Sequence, residues 1–307
     1  MARPDRPDRP DRPDRPDRSD RPDAHDGAAG GLAGRALDAG AGLARNALKR
    51  QIRAWHRLDV SAAEQLPTEP SLFVTHHGFG GTYDLNIFAA VTIGEKLTGR
   101  PVKILAHDMI WRLKAGRLVE ALGAVRASPD AARATLEAGD NVLVVPGGDH
   151  DAVKTWKERN TLGFHGHTGF VRLARRVGCP IVPVVTAGAG ESLVVLSKGE
   201  KILERIQPNR DGEKPRVWPV VVSLPLGLTS GPISLLLPYL PAPTKLESRV
   251  LPAIRVASAP ELSDEAHAAE DARIAHAIEA EMQATLTELT DGRIPLLGRP
   301  GRGRRRR

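Results

Sequence analysis

Between residues 71 and 186 short apolar runs alternate with longer helical stretches, and this alternation limits the fold more than any other feature of the sequence. The runs are Ser71–Thr75, Val102–Ala106, Ala124–Ala127, Asn141–Val145 and Ile181–Thr186, each of strand length. Asp84–Leu97, Met109–Leu122, Pro129–Ala138 and Phe170–Val177 read as the helices between them. Strands joined through helices cannot pair as hairpins, so the pattern predicts an α/β fold: a central, mostly parallel β-sheet flanked by helices. In such sheets ligands bind where strands end.

The flanks differ in character. Residues 1–26 are an Arg-Pro-Asp repeat, in which proline at every third position blocks helical hydrogen bonding and nothing apolar can be buried; disorder is expected. Residues 27–60 form a basic helical segment. Within it Leu43, Ala47, Leu48, Ile52 and Trp55 make an apolar stripe, with Arg45, Lys49, Arg50, Arg53 and Arg57 mostly on other faces. It reads as a helix packed on the domain or as an interfacial one with Trp55 at headgroup depth. The main domain is placed at 61–260 and a C-terminal helix, capped by Ser263, at 261–292. Residues 293–307 are expected to be a basic disordered tail. Six arginines between Gly298 and Arg307 account for nearly all of the +7 net charge, which leaves the folded body close to neutral. Such a tail fits solvent or anionic lipid and is weak evidence for nucleic acid, so no nucleic-acid partner is expected.

One cysteine, Cys179, cannot form an internal disulfide, and no secretory signal is visible, so a cytoplasmic setting is expected. No apolar run is long enough to cross a membrane. The nearest candidate, Val217–Pro243, is broken by prolines at 219, 225, 232, 238, 241 and 243. It reads as buried strands and loops, or as a wall that dips into a bilayer surface.

Chemistry concentrates at the end of the first run, where Val74-Thr-His-His77 leads through a glycine-bearing loop to Asp84. A neutral imidazole can take a proton from a hydroxyl nucleophile, and a carboxylate can fix its tautomer and steady the resulting cation. Two further landmarks follow: Leu122-Gly-Ala-Val-Arg126-Ala-Ser128, then Leu143-Val-Val-Pro146-Gly147-Gly148-Asp149. A cation and a hydroxyl closing one strand suit a phosphate or developing oxyanion, and a Pro-Gly-Gly turn can expose backbone N–H groups to a ligand.

In this order, and followed by Gly169-Phe-Val-Arg172-Leu-Ala and Gly178-Cys-Pro180-Ile-Val-Pro183-Val, these blocks resemble the phospholipid/glycerol acyltransferase family. The resemblance covers about residues 70 to 255 and is strongest to the diacylglycerol acyltransferase-like branch, where Pro-Gly-Gly replaces Pro-Glu-Gly. It implies that His77 is the catalytic base and Asp84 its partner, with His76 where the family often has asparagine. It also implies that Arg126 and Ser128 hold the acceptor headgroup, that Pro146, Gly147 and Gly148 form the third block, and that Pro180 and Pro183 shape the acyl site. Asp149 or Asp151 would take the place of the family's glutamate. The family usually has four residues between histidine and aspartate; here there are six.

The activity so implied is transfer of a fatty acyl group from a thioester to a hydroxyl of a glycerolipid or lysophospholipid. No metal or cofactor is expected; acyl-CoA or acyl carrier protein serves as co-substrate. The partners are then a lipid acceptor, an acyl donor and a membrane surface, with the protein peripherally attached; the oligomeric state is open. Two alternatives remain. His76, His77, Asp84, Asp149, His150, Asp151, His165 and His167 are ligand types for a metal-dependent hydrolase. A non-catalytic lipid-binding or nucleic-acid-associated protein, contacting its partner through the arginine tail, is the other.

Overall fold

The computed structural model describes residues 32–63, 66–79, 83–106, 119–120, 123–206, 217–235, 237, 239–258 and 263–300. The chain divides into residues 1–40, whose described part, 32–40, is helical, and residues 41–307. The expected disordered repeat and most of the helix expected at Met109–Leu122 lie outside the described residues.

The described helices are α1 (Leu32–Ala54), α2 (Leu85–Thr98), α3 (Pro129–Glu137), α4 (Gly148–Ala152), α5 (Gly169–Val177), α6 (Glu200–Leu203) and α7 (Asp264–Thr290). The strands are β1 (Asp59–Ala62), β2 (Leu72–Val74), β3 (Val102–Ala106), β4 (Ala124–Arg126), β5 (Asn141–Val144), β6 (Ile181–Ala187), β7 (Val194–Ser197), β8 (Val220–Ser223), β9 (Gly227–Ser230) and β10 (Glu247–Val250). Seven of them form one sheet in the order β1-β10-β6-β2-β5-β3-β4. Its strands are parallel from β6 to β4 and again between β1 and β10, and only the β10–β6 pair is antiparallel. The fold is thus α/β with a mostly parallel central sheet.

Side-chain alternation along the central strands builds a core on each face. Leu72, Val74, Val142, Ile181 and Val185 point to one side, where α3, α5 and α7 supply Ala132, Leu136, Val171, Ala174, Ile278, Met282 and Leu286. Phe73, Leu143, Val182 and Val184 point to the other, against Ala90, Val91 and Ile93 of α2. The Ser263 cap is present: its Oγ accepts from Ala266 N at 3.3 Å. Burial of its Ile278–Met282–Leu286 stripe makes α7 a wall of the core.

One expectation holds in part and one needs correction. Val217–Pro243, read as buried strands and loops or as a wall at a bilayer surface, contributes β8 and β9, which with β7 form a separate antiparallel sheet; burial holds for one face only, Val195 and Val221 being covered whereas Leu196, Val222 and Leu228 are exposed. Alternation in a half-covered antiparallel sheet produces this split. Residues 293–300, expected to open the disordered tail, are tied to the domain. Arg293 is buried and pairs with Glu191 at 2.7 Å and Glu247 at 2.6 Å, and Leu296 N donates to Glu191 at 2.7 Å. Two buried carboxylates need a cation, and Arg293 supplies it. Residues 301–307 lie outside the described residues.

Candidate active site

Parallel pairing of β2, β5, β3 and β4 brings the residues that follow them to one sheet edge. His76 and His77 follow β2, Pro146 to Gly148 follow its neighbour β5, and Ser128 follows β4, on which Arg126 is the last residue. Arg126 therefore sits three strand positions from the histidines, about 14 Å across the sheet.

Asp84 is the N-cap of α2, and this is what brings it to His77. Its Oδ1 accepts from Asn86 N at 2.9 Å and Gly78 N at 3.2 Å, and its Oδ2 accepts from His77 Nδ1 at 2.8 Å. A buried carboxylate with three N–H donors at a helix N-terminus is fixed in place. Since Nδ1 donates, Nε2 is the ring's acceptor. Nothing among the described residues bonds Nε2, and the side chain remains 16% exposed. A base with its tautomer set and its lone pair accessible is the outcome. The six intervening residues do not prevent the contact.

His76 points the other way, into the core. Its Nε2 accepts from Thr186 N at 3.3 Å, and its Nδ1 lies 3.2 Å from His77 O. Burial, reinforced by the charge of Lys154, lowers its pKa to about 4, so it is neutral and structural.

Beneath His77 lies an ion pair that the sequence did not single out as a unit. Asp151 and Lys154, each 3% exposed, meet at 2.9 Å. Asp151 Oδ2 accepts from His77 N at 3.0 Å, Asp151 Oδ1 accepts from Gly163 N at 3.1 Å, and Lys154 Nζ donates to His77 O at 2.7 Å. Both backbone polar groups of His77 are thereby clamped. Burial pushes the Asp151 carboxyl up, but Lys154 and the two histidines outweigh it and hold the group below its ordinary range. Gly147 is part of the same packing: a Cβ there would meet Asp151 Cβ at 2.2 Å and Gly163 O at 2.6 Å. Gly148 has φ +56°, a conformation that favours glycine. The spacing of Asp151 and Lys154 on one turn was the available signal, but only the fold shows what they hold.

Ser128 caps α3, its Oγ accepting from Ala131 N at 3.0 Å, which leaves its proton for another acceptor. Arg126 is exposed at the sheet edge. Asp149 lies in α4, with a side chain outside the described residues. Pro180 and Pro183 sit in the sheet: Pro180 O accepts from Leu72 N, and Pro183 pairs with Val74. Phe79, Tyr83 and Tyr239 stack edge to face beside the loop, and Tyr239 Oη donates to Tyr83 O at 2.9 Å. No three His, Cys, Asp or Glu among the described residues are grouped to hold a metal. His76 faces the core, and His167 Nδ1 lies 2.7 Å from Phe164 O.

Residues 57–187 match the family described as Acyltransferase. An uncharacterised protein of Mycobacterium tuberculosis is 28% identical over 166 residues, 53% of this chain and 46% of its own length. One from Mycobacterium leprae is 30% identical over 156 residues, 50% of this chain and 42% of its own. A Gallus gallus protein named DGAT1/2-independent enzyme synthesizing storage lipids is 26% identical over 155 residues, 50% of this chain and 45% of its own. The chain thus spans about half the length of the curated relatives it matches. The crystal structure of a 1-acyl-sn-glycerophosphate (LPA) acyltransferase, PlsC, from Thermotoga maritima aligns with a TM-score of 0.44 at 13% identity, covering 84% of this chain and 83% of that one.

Proposed function

We propose that this chain, whose residues 57–187 match the Acyltransferase family, moves a fatty acyl group from a thioester to a hydroxyl of a glycerolipid or lysophospholipid. The observation that carries the reading is the 2.8 Å bond from His77 Nδ1 to Asp84 Oδ2, with Nε2 left as acceptor.

In the proposed reaction the acceptor O–H gives its proton to His77 Nε2 as its oxygen attacks the thioester carbonyl. Asp84 steadies the imidazolium. As the tetrahedral centre collapses, the C–S bond breaks and the thiolate leaves with the proton from Nε2. No covalent enzyme intermediate is required, and no metal or cofactor takes part. Acyl-CoA or acyl carrier protein is the donor. Arg126 and Ser128, a cation and a hydroxyl at the same sheet edge, hold an anionic headgroup. Acceptor and product are amphiphiles, so the protein works peripherally at the cytoplasmic face of a membrane. No helix among the described residues is long and apolar enough to cross one.

Purified protein supplied with acyl-CoA or acyl carrier protein donors and a panel of glycerolipid acceptors should yield acylated lipid by mass spectrometry. His77→Ala should lower turnover by about a thousandfold with the melting temperature unchanged. Arg126→Ala should raise KM for a phosphate-bearing acceptor about tenfold and leave kcat alone. Full activity in His77→Ala would overturn the assignment.

A further inference from the structure

The small sheet β7-β8-β9 has one face against the catalytic loop and the other largely exposed. Its inner residues Val195 and Val221 pack with Phe79 and Val153, and Tyr239 lies against the same cluster. Phe79 is two residues from His77, and Tyr239 holds Tyr83, the neighbour of Asp84. On the outer face Val222 pairs with Leu228, and Leu224 bridges to Leu240. Residues opposite one another in an antiparallel pair project to the same side. Val222, Leu224, Leu228 and Leu240 therefore project to one side, and the bulge residue Leu196 and the turn residue Leu226 add exposed aliphatic surface to the same sheet, with Leu224 62% and Leu228 68% exposed. The turn from Leu224 to Leu228 is exposed at every residue, so the hairpin tip stands clear of the domain.

The rim of this surface is amphipathic and basic. Trp55 donates through Nε1 to Pro241 O at 3.0 Å, beside Leu240, while its side of the ring system stays open at 44% exposure. Within a few residues of it along the chain Arg50, Arg53 and Arg57 are exposed, Arg57 donating to Pro243 O and Leu296 O at 2.6 Å each. A mainly aliphatic face, on which Ser197 and Ser230 are exposed polar groups, with an indole at its border and cations near that indole in the chain, fits a lipid surface: the leucines enter the acyl boundary, the indole sits at headgroup depth and arginines meet anionic phosphates.

We propose that the outer face of β7-β8-β9, with Trp55 at its rim, docks this protein on an anionic bilayer and presents the His77 site to lipid held there. The proposal rests on the acyl-transfer reading for its purpose, and its binding test does not. One sheet then has two tasks, its inner face supporting the catalytic loop and its outer face contacting the membrane.

The test uses the full chain with large unilamellar vesicles of phosphatidylcholine containing phosphatidylglycerol. The variant Leu224→Glu/Leu226→Glu/Leu228→Glu should cosediment about tenfold less than the parent or weaker still, because apolar surface is replaced by charge that the vesicle repels. Acyl transfer to an acceptor embedded in the vesicles should fall in step, and transfer to a short-chain, water-soluble acceptor should not change. Loss of binding in a protein that acylates neither acceptor would refute the reaction and uphold the docking face. Unchanged cosedimentation of a folded triple variant overturns the proposal. So does a parent that ignores vesicles and is a dimer which the variant converts to monomer, since the face would then belong to a second copy. If the triple variant does not fold, Leu228→Glu alone serves, with an environment-sensitive dye on Leu226→Cys: the sole native cysteine, Cys179, is buried. A blue shift of that dye on vesicles supports docking, and an unshifted spectrum overturns it.

Discussion

His76 and His77 are adjacent in sequence and opposite in fate, because consecutive residues leaving a strand face different surroundings. His77 keeps a reachable Nε2 and a carboxylate partner, whereas His76 is enclosed and neutral. His76→Asn should therefore keep kcat within a few-fold of the parent. It should cost about 1–2 kcal/mol of stability, read by denaturant unfolding, since the shorter side chain no longer meets Thr186 N and leaves space behind. The clamp on His77 gives a contrasting expectation. Lys154→Met removes the donor to His77 O and leaves Asp151 buried without its cation, so it should destabilise by about 3–5 kcal/mol. In the protein that still folds, kcat should drop about 10- to 100-fold with KM nearly unchanged, because the ring is misplaced while the substrate sites are intact. An unaltered kcat would show that the clamp does not position the base.

At the scale of elements, capping explains both what the sequence disclosed and what it hid. Ser128 stands before Pro129 at the start of a helical stretch, a pattern readable without coordinates, and its hydroxyl does cap α3. Ser128→Ala should cost about 1 kcal/mol in thermal or denaturant unfolding for that reason alone. Asp84 was legible as a partner of His77 but not as a cap, although aspartate is among the strongest caps. The β-strands that meet the site were legible because helical stretches separate their apolar runs. Strands were also expected within Val217–Pro243, where β8 and β9 lie, but apolar content alone does not say that one face will stay exposed; β7 and β10 were missed because no alternation with helices sets them apart. The Asp151–Lys154 pair was hidden for another reason: its partners, His77 and Gly163, are brought to it by the fold and not by any local spacing.

For the molecule as a whole, two enclosed histidines link folding to pH. His76 and His56 both have pKa values lowered from 6.5 to about 4, chiefly by burial, and His56 Nε2 has no partner in its enclosure. Each ring binds a proton less readily in the folded chain than in the unfolded one, so acid favours unfolding. Stability is intact above about pH 6.5 and is lost as pH falls toward 4, by up to about 3 kcal/mol for each histidine. Calorimetry across this window should show a falling melting temperature, and His56→Gln should flatten the slope. An equal slope in that variant would place the acid sensitivity elsewhere. The same scale sets the limits of the sequence: alternating runs were enough for the central sheet, while the anchoring of residues 293–300 depended on one arginine whose two acidic partners lie far away in the chain.

Asp84 owes its place to the start of α2 rather than to its distance from His77 along the chain. Evolution and the protein engineer are therefore free to lengthen or shorten the connecting loop, provided that an aspartate still opens the helix. A search pattern with fixed spacing would pass over such chains; one that asks for a histidine after a buried strand and an aspartate capping the next helix would recover them.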